Sequence, residues 1–249
     1  MSEGREAARP PVFLLHGWSG SVRTSWEPLA WPRAIREAGL DPRPLDLLGH
    51  GTAAAPHDPD DYADIVGHTG AAMASPSAVD VISFSMGAKI TLALAAQNPE
   101  RFRRIVISGV GENVFRPEAV GSVADSLLEG LSEAVPERVR DLAALAFASG
   151  NDLAALAACM RRRSTPLTPD QVARIDVPVL VVLGDEDRIG GDPHPLLNAL
   201  PDARHLRLPG IDHVGTTYSA AFREAAIKFL LEDPKTDASN LTFQKADHR

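Results

Sequence analysis

The stretch Val79-Asp80-Val81-Ile82-Ser83-Phe84-Ser85-Met86-Gly87 reads as a strand that breaks sharply into a helix. Its first half is apolar and β-branched enough to be a fully buried strand, and the helical run Ala88–Gln97 follows directly. Ser85 stands at the apex. A nucleophile on such a turn has a strained backbone, so the residues two before and two after it must be small to let strand and helix pass closely. Ser83 and Gly87 meet that demand, with serine standing where the usual G-x-S-x-G pattern has its first glycine. The competing reading is an ordinary serine in a strand–helix turn, and the rest of the chain decides between them.

Outward from this point, short apolar runs alternate with helical patterns, which predicts an α/β fold with a parallel sheet covered on both faces. Upstream, Val12–Leu15 reads as a strand ending at His16-Gly17-Trp18, Pro28–Ala38 as a helix, Pro44–Leu47 as a strand and Tyr62–Met73 as a helix. Downstream, strands are expected at Arg104–Ser108, Pro178–Leu183 and His205–Leu208, with Tyr218–Leu231 as the closing helix. Between Asn113 and about Ile175 the β-branched runs give way to alanine and leucine at helical spacing. Val123, Leu127, Leu128 and Leu131 mark one apolar face there, and Val139, Leu142 and Leu145 a second. A third helix is expected to start at Asn151 as its N-cap, after Gly150, and a fourth carries the capping-box residues Thr168-Pro169-Asp170-Gln171. The expected organisation is a core over residues 1–112 and 176–232, an inserted helical cap over 113–175, and a polar, aperiodic tail over 233–249 that reads as disordered or partly an expression remnant.

With 249 residues, 44 % of them hydrophobic, the chain can bury one sizeable core. No run approaches the roughly 18 apolar residues of a membrane helix, and the polar N-terminus has no apolar run behind it, so a cytoplasmic protein without membrane contact is expected. The single cysteine, Cys159, excludes an intramolecular disulfide and fits a reducing compartment. No Cys/His cluster has zinc spacing, so no metal is expected. The formal charge of −8, with Arg161-Arg162-Arg163 as the one basic run, argues against nucleic acid as a partner.

Four separated motifs in order carry a family resemblance: His16-Gly17-Trp18, Asp46-Leu47-Leu48-Gly49-His50-Gly51, Ser83-Phe84-Ser85-Met86-Gly87, and Gly184 with His213. Over about residues 11–232 the chain resembles the α/β-hydrolase superfamily. The resemblance implies six parallel strands in the order 2-1-3-4-5-6, without an antiparallel strand ahead of Val12.

The chemistry can be argued from the residues themselves. A serine hydroxyl needs a histidine to take its proton, and that histidine needs a carboxylate to fix its tautomer and stabilise the imidazolium. Reacting groups collect at the carboxyl ends of strands, so both partners should follow strands downstream of Ser85, in the order acid then histidine. Of eight histidines, His213 fits: it sits in the loop after the last predicted strand and before the closing helix. A loop histidine that merely caps that helix is the plainer reading. His194 and His205 lie in or beside regular elements, His57 and His68 precede the turn, and His16 and His50 sit in motif loops whose backbone they are expected to order. For the acid, Gly184-Asp185-Glu186-Asp187 offers three carboxylates; the G-x-x-D spacing of the resembled family selects Asp187, with Asp185 and Glu112 as alternatives. Two backbone amides should face the oxyanion of a tetrahedral intermediate, those of Met86 at a helix N-terminus and Trp18 after His16-Gly17.

These readings imply a cofactor-independent serine hydrolase of a small ester-like molecule. Carbon–carbon bond hydrolysis and lactonase or thioesterase action on an acidic substrate stay open, and so does a non-catalytic binding protein on the same fold. Oligomeric state is not read from the chain. In the cap, Arg161 or Arg162 is positioned to hold a substrate carboxylate, although three arginines ending a helix also suit the helix dipole while pointing into water.

Overall fold

A computed structural model describes residues 9–117, 121–131, 135–232 and 244–245. The chain runs β1 (Pro11–Leu15), α1 (Trp31–Glu37), β2 (Asp41–Leu45), α2 (Ile65–Ala72), β3 (Val79–Phe84), α3 (Met86–Gln97) and β4 (Phe102–Ser108). It continues through α4 (Gly121–Glu129), α5 (Glu137–Ser149), α6 (Leu153–Arg161), α7 (Pro169–Val172), β5 (Val179–Gly184), α8 (His194–Ala199), β6 (Ala203–Leu208), α9 (Ala220–Leu231) and β7 (Gln244–Lys245). The sheet order is β2-β1-β3-β4-β5-β6-β7. The first six strands are parallel, in the order the resemblance implies, and β7 adds a two-residue antiparallel edge against Arg204 and His205.

Side chains alternate across the strands, so each strand feeds two apolar layers. Phe13, Leu15, Val81, Ile105, Ile107 and Val181 pack with α2, α3, α7 and α8 on one face. Val12, Leu14, Ile82, Val106, Leu180 and Val182 pack with α1 and α9 on the other. There Trp31 stands edge-on to both Trp26 and Phe222, at centroid distances of 5.4 and 4.9 Å. Full burial of a leucine-sized side chain stabilises by roughly 1.5–3 kcal/mol, so the two layers dominate the fold's energetics.

Helices α4 to α6 have an apolar cluster of their own, built on Val123, Leu127, Val139, Ala143, Leu156 and Met160. Leu128 and Leu131, expected on the same face as Val123, are 49 % and 45 % exposed: Leu128 follows Val123 by five residues and so points about 140° away from it around the helix, and Leu131 lies beyond the end of α4 at Glu129. Asn151 is not the N-cap of the third inserted helix. That role belongs to Asp152, which accepts from the amides of Ala154 and Ala155 at 2.9 and 3.1 Å. The capping box at Thr168 and Gln171 is present at α7. Strand β2 starts three residues and ends two residues earlier than the apolar pattern suggests, because Asp46 turns out of the sheet to accept from Val22 N and from Thr52 N and Oγ1. Helix α1 covers less than the expected Pro28–Ala38, and α9 starts at Ala220 behind Ser219, which accepts from Phe222 N. The expected disordered tail lies outside the described residues except for the backbone of 244–245.

Candidate active site

Every residue of β3 is buried, and the strand ends one residue before Ser85. Ser85 has φ +50° and ψ −112°, a region that non-glycine residues occupy only under strain. Two close approaches hold that strain in place. The Ser85 amide donates to Ser108 O on β4 at 2.8 Å, and Gly87 N donates to His16 O at the end of β1 at 3.2 Å. A β-carbon on Gly87 would lie 2.6 Å from His16 O and 2.7 Å from Leu15 O, so only glycine lets α3 start this near β1. Ser83 is tolerated two residues before the turn because its hydroxyl finds the carbonyl of Val106 on the neighbouring strand.

His213 comes from the loop after β6, and Asp187 from the loop after β5. Ser85 Oγ–H donates to His213 Nε2 at 3.0 Å, and His213 Nδ1–H donates to the Asp187 carboxylate at 2.9 and 3.0 Å. A carboxylate can only accept here, which fixes the ring as the Nδ1–H tautomer and leaves Nε2 as the base facing serine. Burial pushes Asp187 toward its neutral form, but the bond from His213 and the amides of Ile189 and Gly190 outweigh it and hold the carboxyl below its ordinary range. The ring of His213 rests on Phe84 at 4.8 Å between centroids. The alternatives are engaged elsewhere: Asp185 pairs with Arg207 and accepts from Gly210 N, and Glu112 pairs with Arg116.

The Met86 amide opens α3 and is one of the four N–H groups that a helix leaves without an internal acceptor. Trp18 lines the same cavity as Ser85 and Met86. Gly17 makes the approach of its loop to Ser85 possible, since a β-carbon there would sit 2.8 Å from the Phe84 ring and 3.2 Å from Ser85 Cβ. His16 Nδ1–H donates to Gly17 O at 2.8 Å and its Nε2 accepts from Leu47 N at 3.1 Å. Burial lowers its pKa, so it serves as a neutral strut. His50 Nδ1–H donates to Leu48 O at 2.9 Å, and burial above all takes its pKa to about 3. Both histidines order loop backbone, as the motif loops suggest.

Ser85, Met86, Trp18 and His213 open into a cavity of about 880 Å³ roofed by Val123, Leu142, Leu145 and Met160 from the inserted helices. Of the two arginines singled out in the sequence, Arg162 lines this cavity, while Arg161 pairs with Asp125 of α4 at 2.6 Å and does not. Consecutive helical residues point about 100° apart, so one turn of sequence could not say which would face inward. Arg23, Lys89 and Arg188 also line the cavity and went unread in the sequence. Lys89 carried a usable signal: it follows Ser85 by four residues and so shares its helix face. Among the described residues no three His, Cys, Asp or Glu side chains form a metal-binding group, and no helix is long and apolar enough to cross a membrane.

A model of the Alpha/beta hydrolase family matches residues 12–226. The chain is 31 % identical over 105 residues to pimeloyl-[acyl-carrier protein] methyl ester esterase of Neisseria meningitidis serogroup C, a match covering 39 % of this chain and 35 % of that protein. It is 33 % identical over 104 residues to 2-hydroxymuconate semialdehyde hydrolase of Pseudomonas sp. strain CF600, covering 40 % and 36 %. The matched stretch thus spans about a third of each of these curated relatives. Among solved structures, the enol-lactonase from Burkholderia xenovorans LB400 superposes with a TM-score of 0.67 at 21 % identity, over 93 % of this chain and 95 % of that one. The family match over nearly the whole described core, together with the shared fold, shows that the chain belongs to the alpha/beta hydrolase family.

Proposed function

We propose that this protein is a serine hydrolase that cleaves a small carboxylic ester-like substrate through an acyl-enzyme on Ser85. The observation that carries the reading is the chain of hydrogen bonds from Ser85 Oγ to His213 Nε2 and from His213 Nδ1 to Asp187. In the proposed first step Ser85 Oγ adds to the carbonyl carbon as its proton passes to His213, and Asp187 stabilises the imidazolium. The amides of Met86 and Trp18 receive the negative charge on the former carbonyl oxygen. Collapse expels the alcohol, which takes the proton from His213. Water then repeats the sequence on the acyl-enzyme to release the acid and restore Ser85. A binding protein on this fold would have no use for a strained serine aligned with a tautomer-fixed histidine.

A second reading, hydrolysis of an acidic substrate by ester, lactone, thioester or carbon–carbon bond cleavage, is favoured by the cavity's charge. In a chain of net charge −8, the described residues that line the cavity include Arg23, Lys89, Arg116, Arg162 and Arg188, together with Glu112, which pairs with Arg116. Such a concentration of positive charge recruits anions. A panel of p-nitrophenyl esters, neutral and carboxylate-bearing, tests both readings with wild type, Arg162→Met and Arg161→Met. Turnover of neutral esters with a burst of nitrophenol supports the acyl-enzyme, and no turnover of any ester contradicts it. A rise in KM of about tenfold for acidic esters alone, in Arg162→Met alone, supports the anionic substrate. Equal and small changes at both arginines return the site to neutral acyl groups.

A further inference from the structure

We infer that Asn151 is a positioning residue that aims the Trp18 amide at the oxyanion from the inserted helices, an inference that rests on the hydrolase reading above. Asn151 sits in the turn between α5 and α6, where Asp152 already caps the helix, so its side chain is spent on something else. Its Nδ2 donates to Ser19 O at 2.8 Å and to Gly20 O at 3.2 Å, while its Oδ1 accepts from Gly51 N at 2.8 Å. Two carbonyls on one side and an N–H on the other leave a single orientation for the amide. Ser19, the residue it grips, is a non-glycine residue at φ +64°, a conformation that its surroundings must impose.

The consequence follows from the planarity of the peptide bond. In a trans peptide the C=O of one residue and the N–H of the next point in opposite directions. Asn151 fixes Ser19 O, and so fixes the Gly20 N–H on the far side of the same plane. That N–H donates to Gly17 O at 3.0 Å. Gly17 O shares its own peptide plane with the Trp18 N–H, whose direction is thereby set. The relay reads Asn151 Nδ2–H to Ser19 O, Gly20 N–H to Gly17 O, then Trp18 N–H toward the reacting oxygen. Successive hydrogen bonds aligned in one direction also polarise one another, strengthening the last donor. His16 Nδ1–H is a second donor to Gly17 O, so the relay shares its task with a buried strut. The Trp18 indole ties the same loop to the inserted helices by donating to Leu156 O at 3.2 Å, and its ring packs against their apolar cluster. The roof of the cavity and one oxyanion donor are therefore one mechanical unit.

The test compares wild type with Asn151→Ala and the isosteric Asn151→Asp, using p-nitrophenyl butyrate turnover, thermal unfolding, and two inhibitors of equal length. One inhibitor is an alkyl trifluoromethyl ketone, whose carbonyl carbon accepts Ser85 Oγ to give a hemiketal oxyanion as the proton moves to His213. The other is the matching methyl ketone, which binds without appreciable adduct. Asn151→Ala should lower kcat about tenfold, less than the 10²–10³ of deleting an oxyanion donor because His16 still holds Gly17 O. KM should stay within about threefold, and the trifluoromethyl ketone should weaken in proportion to kcat while the methyl ketone does not. Asn151→Asp should be the worse variant, because it turns an acceptor toward Ser19 O and Gly20 O. A residue that only shaped the turn or capped a helix would accept aspartate as readily as asparagine. Unchanged kcat in Asn151→Ala, near-wild-type activity in Asn151→Asp, or parallel weakening of both ketones would overturn the coupling. A wild type that forms no adduct at all would remove the hydrolase reading, and the coupling with it.

Discussion

Replacing Asp187 by asparagine changes one atom, and the surroundings of that atom decide the outcome. Asp187 Oδ1 accepts from Ile189 N at 2.9 Å and from Gly190 N at 2.8 Å. An asparagine must keep its oxygen there, since the flipped amide would set its NH2 against two N–H donors. Its NH2 then occupies the place of Oδ2, 2.9 Å from His213 Nδ1, while Oδ1, 3.0 Å from that nitrogen, already accepts from two amides; an NH2 set against the ring N–H favours Nδ1 as an acceptor. The ring proton moves to Nε2, where it points at Ser85 Oγ and blocks the base. The expected loss is about 10⁴-fold in kcat, as for a histidine held in the wrong tautomer, or roughly 5.4 kcal/mol of transition-state stabilisation at 1.36 kcal/mol per decade. Both backbone bonds survive, so the fold should too. Asp185→Asn is the control: its carboxylate touches Arg207 and Gly210 N rather than His213, and loss of an exposed ion pair should leave turnover within about threefold. Steady-state hydrolysis of a p-nitrophenyl ester, with circular dichroism to verify folding, reads both. Asp187→Asn within tenfold of wild type, or Asp185→Asn the more damaged, would refute the reasoning.

Two further predictions concern what holds the site in place. Gly87→Ala gains roughly 1 kcal/mol of helix propensity, yet its methyl would meet three backbone atoms of Leu15 and His16 within 2.9 Å. The net effect should be a loss of about 1–3 kcal/mol, or roughly 2–10 °C in Tm, with at least tenfold lower turnover; a variant as stable and active as wild type would contradict the packing account. Asp80 in β3 is buried beside Arg103, and burial raises its pKa to about 6. The folded state therefore holds this proton more tightly than the unfolded chain, whose aspartates titrate near 3.9. That contribution is present below about pH 4 and lost as pH rises through 6. Relative to wild type, Asp80→Asn should gain about 2–3 kcal/mol between pH 4 and pH 7, visible as roughly 5–10 °C in the Tm difference; a pH-independent difference would show that Asp80 is ionised throughout.

The strands, Ser85 and His213 were legible because their signals are local, whereas the order of the strands came only with the family resemblance. A buried β-branched run, a sharp turn and a loop histidine after the last strand can each be read within a dozen residues. Asp187 needed the family spacing to separate it from Asp185, two residues away; in the structure the amides of Ile189 and Gly190 turn the chosen carboxyl inward. Element ends shifted where side chains from afar rewrote the local preference, as Asp46 did for β2. Arg161 and Arg162 could not be told apart until Asp125, on another helix, engaged the first. Asn151 was out of reach altogether, for its partners lie 100 and 132 positions away and its local context, between Gly150 and Asp152, resembles a helix cap.

The central claim is covalent catalysis at Ser85, and intact-mass spectrometry after exposure to an alkyl fluorophosphonate tests it most directly. Attack by Ser85 Oγ on phosphorus expels fluoride, so wild type should gain the mass of one phosphonyl group. Ser85→Ala should gain none and should lose at least 10³-fold in ester turnover, keeping what oxyanion contacts and binding alone supply. Labelling that persists undiminished in Ser85→Ala, or a wild type that stays unlabelled while it hydrolyses esters, would contradict the account.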